Sequence, residues 1–546
     1  MALRRILLCA VIALGLLLVP AAHAAPPDPR FGAVEAFFAP NEADGAGVAW
    51  ERVLFYWREI QPQPDLWRDD YFPPEILQRE LASGREIVGL LINPPWWANE
   101  GRGDRGVPAG LYLPYDDPGN DWGQFVSRIV AQYRGVIRHW ILWNEPDVWD
   151  KSHFGYTWDG TVEDFAQLTK VGYLAAKHAN PECVVHLAGL TYWWDTEHGR
   201  QFYLERLLQT IDKDPDASAN GFYFDVVSLH IYFKPRTIPE IIAKTRSALR
   251  RYGLDKPIWV DETNAPPRDD PAHPIEHPRF PVTLSQQRAF LFQAFALSLS
   301  AGAERVAAYK MSDRPSIEPW EEPFGLIRLD GSKRPVYDAL EMIAGLYSGT
   351  HSATWNDAGD YAVVTLDQGQ KTTTVLWNWT TGEVKARLAA ITPDAQLVAA
   401  DGSVSEIAAE GGVYRLALPP AECGSGGMCD IGGQPVILVE QGRASARGRL
   451  LPPTPTATPT ITTTPRPTTI STPTPIPSAT PTAFATLVPS PTASKQPPTM
   501  MPTSVHVEEA NPSSQDLLPA LLMSGGVVLF VLLWLGIARR RWRQRR

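Results

Sequence analysis

Two glutamates carry the chemistry that this sequence offers. Glu145 follows the apolar run 139–144 in "HWILWNEPD", and Glu262 closes the run 257–262 in "PIWVDETN". In both places a β-rich segment stops at a carboxylate. Pro146, next after the first, has no backbone N–H and a fixed φ, so it ends the strand and helps to hold the turn. One acid at a strand end is usually an ion-pair or capping group; two at matched positions ask for another explanation. They stand 117 residues apart (262 − 145), or 39 for each of three intervening strand–helix units. Two carboxylates facing across a ligand can cleave a glycosidic bond. One stays protonated and donates to the leaving oxygen; the other stays charged and meets the oxocarbenium-like carbon.

The elements that must position them are legible. Eight β-rich runs fall at 32–38, 50–57, 86–93, 139–144, 183–190, 225–232, 257–262 and 304–311. Most are apolar on both faces, as parallel strands covered on each side must be. Amphipathic runs separate them. In "TVEDFAQLTKVGYLAAKHANP", Thr161 is a cap with Asp164 three residues on. Phe165, Leu168 and Val171 share a face, and Asn180-Pro181 stops the helix. Two further helical runs end at Gly253 and Gly302. Eight such units over 30–350 predict a (β/α)8 TIM barrel, α/β in class, at roughly 40 residues per unit. The two glutamates then belong to strands four and seven, whose C-terminal ends face each other across the mouth. A doubly wound open sheet is the competitor, but no Gly-rich phosphate loop follows the first strand.

The rest of the chain frames this barrel. Residues 351–445 carry short alternating strands with Gly and Asp turns, expected to form a small all-β sandwich that packs against the barrel. Residues 446–515 are a Pro/Thr-rich linker that cannot bury enough surface to fold. Residues 1–24 have Arg4 and Arg5, an apolar stretch and Ala22-His23-Ala24, the pattern of a secretory signal peptide. The uncharged stretch 517–538 reads as a transmembrane helix, and the basic tail 539–546 as its cytoplasmic flank. Together they predict an exported chain anchored at its C-terminus, with the barrel outside the cell at its surface. The net charge is −10; without Arg4, Arg5 and the six tail arginines, 42 basic residues face 60 acidic ones. That balance argues against nucleic acid as a partner. Cys423 and Cys429 are close enough for a local disulfide, and Cys183 lies in an apolar strand. No Cys/His cluster has metal spacing, so neither a metal nor an organic cofactor is expected. Asn378-Trp379-Thr380 matches a glycosylation sequon.

These motifs resemble the clan A glycoside hydrolases, retaining enzymes on this barrel, with a flavour of families 5 and 39. "WNEP" after strand four, "W-x-x-E" at strand seven and "H-x-Y" at strand six carry the likeness, with "AWERVLFYWREIQP" at the second strand, "GLLINPPWW" at the third and "PFGLIRLDGSKRPVYDAL" at the close. The resemblance covers about 30–440. It implies that Glu145 is the general acid/base and Glu262 the nucleophile. It also implies that Asn144 bonds a sugar 2-hydroxyl, Tyr232 hydrogen-bonds the nucleophile, Arg52 keeps it ionised and His230 lines the pocket. Asn93, the pairs Trp96-Trp97 and Trp193-Trp194, and Tyr309, at or just past strand ends, are the other candidate carbohydrate contacts. Two positions depart from the clan pattern. Asp261 precedes the nucleophile where Thr or Ser is frequent, and Tyr309-Lys310 stand where a tryptophan usually lies under the sugar.

The expectation is therefore a retaining glycosidase acting on β-linked oligo- or polysaccharides. The alternatives are a carbohydrate-binding surface protein that kept the fold without turnover, and a surface adhesin on a stalk. The adhesin reading leaves the strand-end acids unexplained.

Overall fold

The computed structural model describes residues 26–447 except 100, 154, 276–279, 315–321 and 424–427. The expected signal peptide, the linker beyond 447, the transmembrane stretch 517–538 and the basic tail lie outside the described residues. Among the described residues, no helix is long and apolar enough to cross a membrane.

All eight expected strands form. They are β1 Phe31–Val34, β2 Trp50–Tyr56, β3 Glu86–Ile92, β4 His139–Asn144, β5 Val184–Gly189, β6 Val227–His230, β7 Ile258–Thr263 and β8 Arg305–Ala308. They pair in parallel in sequence order, and β8 returns to β1. Backbone bonds from Leu187 N to Val226 O (2.9 Å) and Leu190 N to Ser228 O (3.1 Å) join β5 to β6 and close the cylinder. β1 is shorter than its apolar run because Glu35 adopts φ 56°, and Ala36–Phe38 turn away as a 3-10 segment.

Aromatic side chains fill the barrel. Trp259 of β7 touches Trp50 of β2, His139 of β4 and His186 of β5, at centroid distances of 5.1, 5.0 and 4.5 Å. Residues of four strands can meet on one indole only inside the cylinder. Gly89 of β3 makes room for another: a Cβ there would lie 2.4 Å from Trp140.

The helices follow their local signals. Val162–Ala179 starts at Thr161, whose Oγ1 accepts from Asp164 N at 3.0 Å while Asp164 Oδ2 accepts from Thr161 N at 2.9 Å. Leu284–Ser300 is buried along nearly its whole length, because the barrel covers one side and the β domain the other. Gln293 bonds the backbone of both Gly432 (3.0 Å) and Gly433 (3.1 Å) across that contact.

The β domain has a six-stranded antiparallel sheet and a two-stranded one. In chain order the strands are β9 Ser352–Asp357, β10 Tyr361–Asp367, β11 Thr372–Asn378, β12 Val384–Ala389, β13 Asp394–Ala399, β14 Val404–Ala408, β15 Val413–Leu418 and β16 Val436–Glu440. The larger sheet runs β14-β13-β16-β11-β10-β9, and β12 pairs with β15. Leu376 and Leu438 from the first sheet share a core with Leu388 and Tyr414 from the second, which makes this a sandwich. Cys423 and Cys429 are bonded, and Cys183 is a buried free thiol. The sequon asparagine is not a surface residue: Asn378 is buried, and its Nδ2 donates to Gly382 O at 2.7 Å.

Candidate active site

The site gathers where β4, β6 and β7 end, with Arg52 reaching it from within β2. Asn144 is the last residue of β4, paired with Gly189 of β5. Glu145 follows in the left-handed region at φ 43°, its N–H donating to Gly189 O at 3.0 Å. Trp143, one residue before Asn144, also has positive φ. A bulky residue in this region costs energy and persists only where its surroundings hold it. Here the hold is Pro146, the Gly189 bond and the Thr157 hydroxyl, which donates to Asn144 O.

Glu262 arrives by another device. The register between β6 and β7 shifts: Leu229 pairs with Val260, but His230 pairs with Glu262. Asp261 is thus an extra residue, a β-bulge, and the register of β7 with β8 slips over the same stretch. Successive side chains of a regular strand point to opposite faces; a bulge re-aims them. Asp261 and Glu262 therefore both reach the same two partners, Arg52 and His230.

Arg52 Nη2 pairs with Glu262 Oε1, and Arg52 Nη1 lies 3.9 Å from Asp261 Oδ2. Burial works against the guanidinium charge, but Glu262 and Asp261 outweigh it and hold Arg52 charged far above the usual range. The Tyr232 hydroxyl donates to Glu262 Oε2. Its own burial, with Glu262 beside it, pushes the phenol well up, so it remains a donor. His230 is enclosed: Nδ1 lies 2.7 Å from Glu145 Oε1 and 3.4 Å from Glu262 Oε2, and Nε2 lies 3.6 Å from Asp261 Oδ1. Burial disfavours its charge, yet Glu262, Asp261 and Glu145 together push the imidazole up to about 10. Gly189 makes the ring's place available, since a Cβ there would sit 2.0 Å from His230 Nε2.

One oxygen of Glu145, one of Glu262 and one nitrogen of His230 all lie within 4.8 Å of one another. That spacing could suit a cation.

The structure distributes the remaining candidates around this centre. Asn144 Oδ1 is buried without a hydrogen-bond partner in the protein. Tyr309 packs edge-on against Tyr232 at 5.9 Å and against Phe324 at 5.3 Å, beside Glu262. Asn93 donates instead to the Asp104 backbone and side-chain oxygens, both at 3.0 Å, and ties down the loop after β3. Trp96 is 69 % exposed. Trp97 packs on Trp57 and donates to Gln61 O at 3.1 Å. Trp193 packs against Tyr192, with Lys234 Nζ 5.0 Å from its ring centroid.

Sequence reasoning offered the pair Trp193-Trp194 without choosing between them, and it missed Asp147 and Glu35. Trp194, rather than Trp193, joins Trp149, His153 and His198 in a ring cluster with centroids 4.5–6.0 Å apart. The cluster borders Glu145: a Cβ on Gly155 would lie 3.2 Å from His153 Nδ1 and 3.4 Å from Glu145 Oε2. Asp147 fastens the loop after β5, its Oδ2 accepting from Thr191 N and Oγ1 (both 2.8 Å) and Tyr192 N (3.1 Å). Burial pushes its carboxyl up to about 7; the Thr191 bonds oppose that rise and the Glu145 charge adds to it. Glu35, at the end of β1, is a buried partner of Arg314. The acid of Asn-Glu-Pro-Asp could have suggested Asp147; nothing local distinguishes Trp194 from Trp193.

A separate cleft of about 560 Å³ lies between the loop after β6 and the β domain, lined by Lys234, Arg236, Glu240, Trp355 and Asp430 among others. It holds no strand-end acid pair.

No family model matches the sequence, and no curated protein matches it. Solved structures do. A family 39 glycoside hydrolase from the gut symbiont Bacteroides cellulosilyticus is 16 % identical with a TM-score of 0.55, over 76 % of this chain and 81 % of its own. A family 30 endoxylanase from Clostridium papyrosolvens is 13 % identical, TM-score 0.49, over 77 % and 97 %. A monomeric beta-xylosidase from Caulobacter crescentus is 12 % identical, TM-score 0.49, over 76 % and 97 %. At these identities the likeness to the family 39 structure is one of fold, and it agrees with the clan resemblance of the motifs.

Proposed function

We propose that this chain is a retaining glycoside hydrolase that cleaves β-linked oligo- or polysaccharides by double displacement. The observation that carries the reading is the approach of Glu145 and Glu262, oxygen to oxygen, to within 4.8 Å. Retaining enzymes hold their two carboxyl groups about 5–5.5 Å apart; inverting ones need roughly 6.5–9.5 Å to admit a water. The fold shared with a family 39 glycoside hydrolase supports the same class.

In this reading Glu262, fixed by Arg52 and Tyr232, attacks the anomeric carbon while Glu145 gives its proton to the departing oxygen. Glu145 then takes a proton from water, whose oxygen displaces Glu262 from the sugar. The buried, unpartnered Asn144 Oδ1 is an acceptor that a sugar hydroxyl would complete. Trp149 and Trp194 stand on the Glu145 side, where the leaving group would sit, and their faces suit a sugar ring. We further propose that the enzyme works outside the cell, exported by the segment read at its N-terminus and held at the surface by the apolar stretch near its C-terminus.

The test is hydrolysis of a panel of chromogenic aryl β-glycosides and β-linked oligosaccharides by the full chain, beside Glu262→Gln. The reading requires cleavage by the first and none by the second. Glycan binding without any cleavage would leave the carbohydrate-binding alternative standing.

A further inference from the structure

The cleft between the loop after β6 and the β domain begins two residues from the candidate active site. Tyr232, which donates to Glu262, is followed by Phe233 and then by Lys234, a lining residue of the cleft. Lys234 also reaches the loop after β5, where its Nζ lies 5.0 Å from the ring centroid of Trp193. The next residue, Trp194, belongs to the ring cluster beside Glu145. One side chain thus borders both the cleft and the Glu145 side of the rim.

The walls of the cleft are fixed from both domains. On the barrel side, Phe233 takes φ 61°, donates its N–H to Asn264 O at 3.2 Å and stacks on Phe280 at 3.9 Å. The Thr237 hydroxyl donates to Lys234 O at 2.7 Å, just before the helix Ile238–Arg250. On the other side, Trp355 stands in β9, paired with Val364 of β10. Cys429, bonded to Cys423, donates its N–H to Trp379 O at 2.8 Å. Arg236 spans the two walls, with Nη2 2.6 Å from Asp357 Oδ2 and its guanidinium 5.3 Å from the Trp379 ring centroid. A site held in place beforehand has little ordering left to lose when a ligand binds.

The lining selects the ligand. The volume of about 560 Å³ falls within the roughly 300–1,000 Å³ of small-molecule sites. Around one indole, that of Trp355, stand two cations, Lys234 and Arg236, and two acids, Glu240 and Asp430. Asp357 matches Arg236, and Lys244 matches Glu240 at 2.7 Å. Among the described residues, Lys234 and Asp430 take part in no ion pair. An anionic ligand would meet the acids, and a cationic one the lysine and arginine. A neutral ligand rich in hydroxyls meets neither obstacle. Its hydroxyl oxygens accept from an ammonium, its O–H groups donate to a carboxylate, and an apolar ring face covers an indole.

We propose that this cleft is a second glycan-binding site, taking neutral sugar residues of the same β-linked chain on the leaving-group side of the bond that is cleaved. The inference rests on the glycosidase reading and deepens it: the preferred substrate is a chain long enough to reach from Glu145 to the β domain. Short aryl glycosides engage the catalytic mouth and leave the cleft empty.

The experiment uses the full chain, with Trp355→Ala and Asp430→Asn, both distant in role from the proposed catalytic groups. Asp430 is exposed, so its substitution leaves the fold in place even if Trp355→Ala does not. Binding is read by affinity electrophoresis in gels containing neutral, soluble β-1,4-xylan, β-1,4-mannan, β-1,4-glucan or β-1,3-glucan, with Glu262→Gln as the background that prevents cleavage. At least one polymer should retard the protein. Its dissociation constant should rise at least 10-fold with Trp355→Ala and at least 3-fold with Asp430→Asn. Without the Glu262 change, both variants should cleave an aryl β-glycoside with kcat/KM within twofold of the wild type, and should lose on the polymer through KM. Retardation by none of the polymers overturns the proposal, as does retardation that folded Asp430→Asn leaves unchanged. An equal loss on the aryl glycoside also overturns it, because the cleft would then support the catalytic mouth rather than bind glycan. Weakened retardation in the variants of a chain that cleaves no glycoside would defeat the glycosidase reading and leave the cleft a glycan site.

Discussion

Nδ1 of His230 lies 2.7 Å from Oε1 of Glu145, although 85 residues and two strand–helix units separate them. The same nitrogen lies 3.4 Å from Glu262. One imidazole thus measures the distance between two strand ends, and the account of function depends on that distance being short.

The Tyr232 hydroxyl donates to Glu262, the nucleophile in the proposed mechanism, whose role there requires a carboxylate. Bonds of this kind contribute about 1.5–3 kcal/mol. Tyr232→Phe should therefore lower kcat/KM roughly 10- to 150-fold, with the thermal midpoint little changed. Steady-state kinetics beside a melting curve would check it. Equal losses of rate and stability would mean that the hydroxyl is structural.

Gly189 admits His230. In Gly189→Ala the new methyl would start 2.0 Å from Nε2, against a strand on one side and a buried ring on the other. Overpacking of this sort costs about 1–3 kcal/mol, and the ring can yield only by leaving Glu145. Unfolding in urea should show that loss, and turnover should fall with it. Wild-type activity in this variant would show that His230 is free to move.

Stability should fall in acid through a different pair of histidines. His139 Nδ1 and His186 Nε2 are 2.8 Å apart inside the barrel, beside Trp259. Burial pushes His139 down to about 4, against the pull of Glu86, and His186 well below its ordinary value. Both are neutral when folded, whereas the unfolded chain binds their protons near pH 6.5. Their contribution is thus fully present above pH 6.5 and is lost as pH falls through the folded value near 4. For His139 the loss is on the order of 2–3 kcal/mol. Urea midpoints at pH 7 and 4.5 should differ less in His139→Gln than in the wild type. An equal difference would reject this assignment.

The barrel was legible because its signals are local. Apolar runs, the Thr161–Asp164 cap and glycine stops each act within a few residues, and β4 spans the run read from sequence. The pairing of Glu145 with Glu262 was legible for a related reason: strand ends at regular spacing must share a rim. The bulge at Asp261 was not, since it depends on the registers of β6 and β8 against β7, which no local pattern records. The choice of Trp194 over Trp193 turns on which side chain of a short helix faces Trp149, a fact of packing between two loops. Asn93 illustrates the same limit. Its position after β3 marks it as a site residue, yet its amide reaches a neighbouring loop.

The most direct measurement is the anomeric configuration of the first product, followed by 1H NMR during hydrolysis of an aryl β-glycoside by the full chain. With Glu145 and Glu262 this close, the β-anomer should appear first and the α-anomer only by slow mutarotation. An α-anomer formed first would contradict the account, because it would require a water between two carboxylates that leave no room for one.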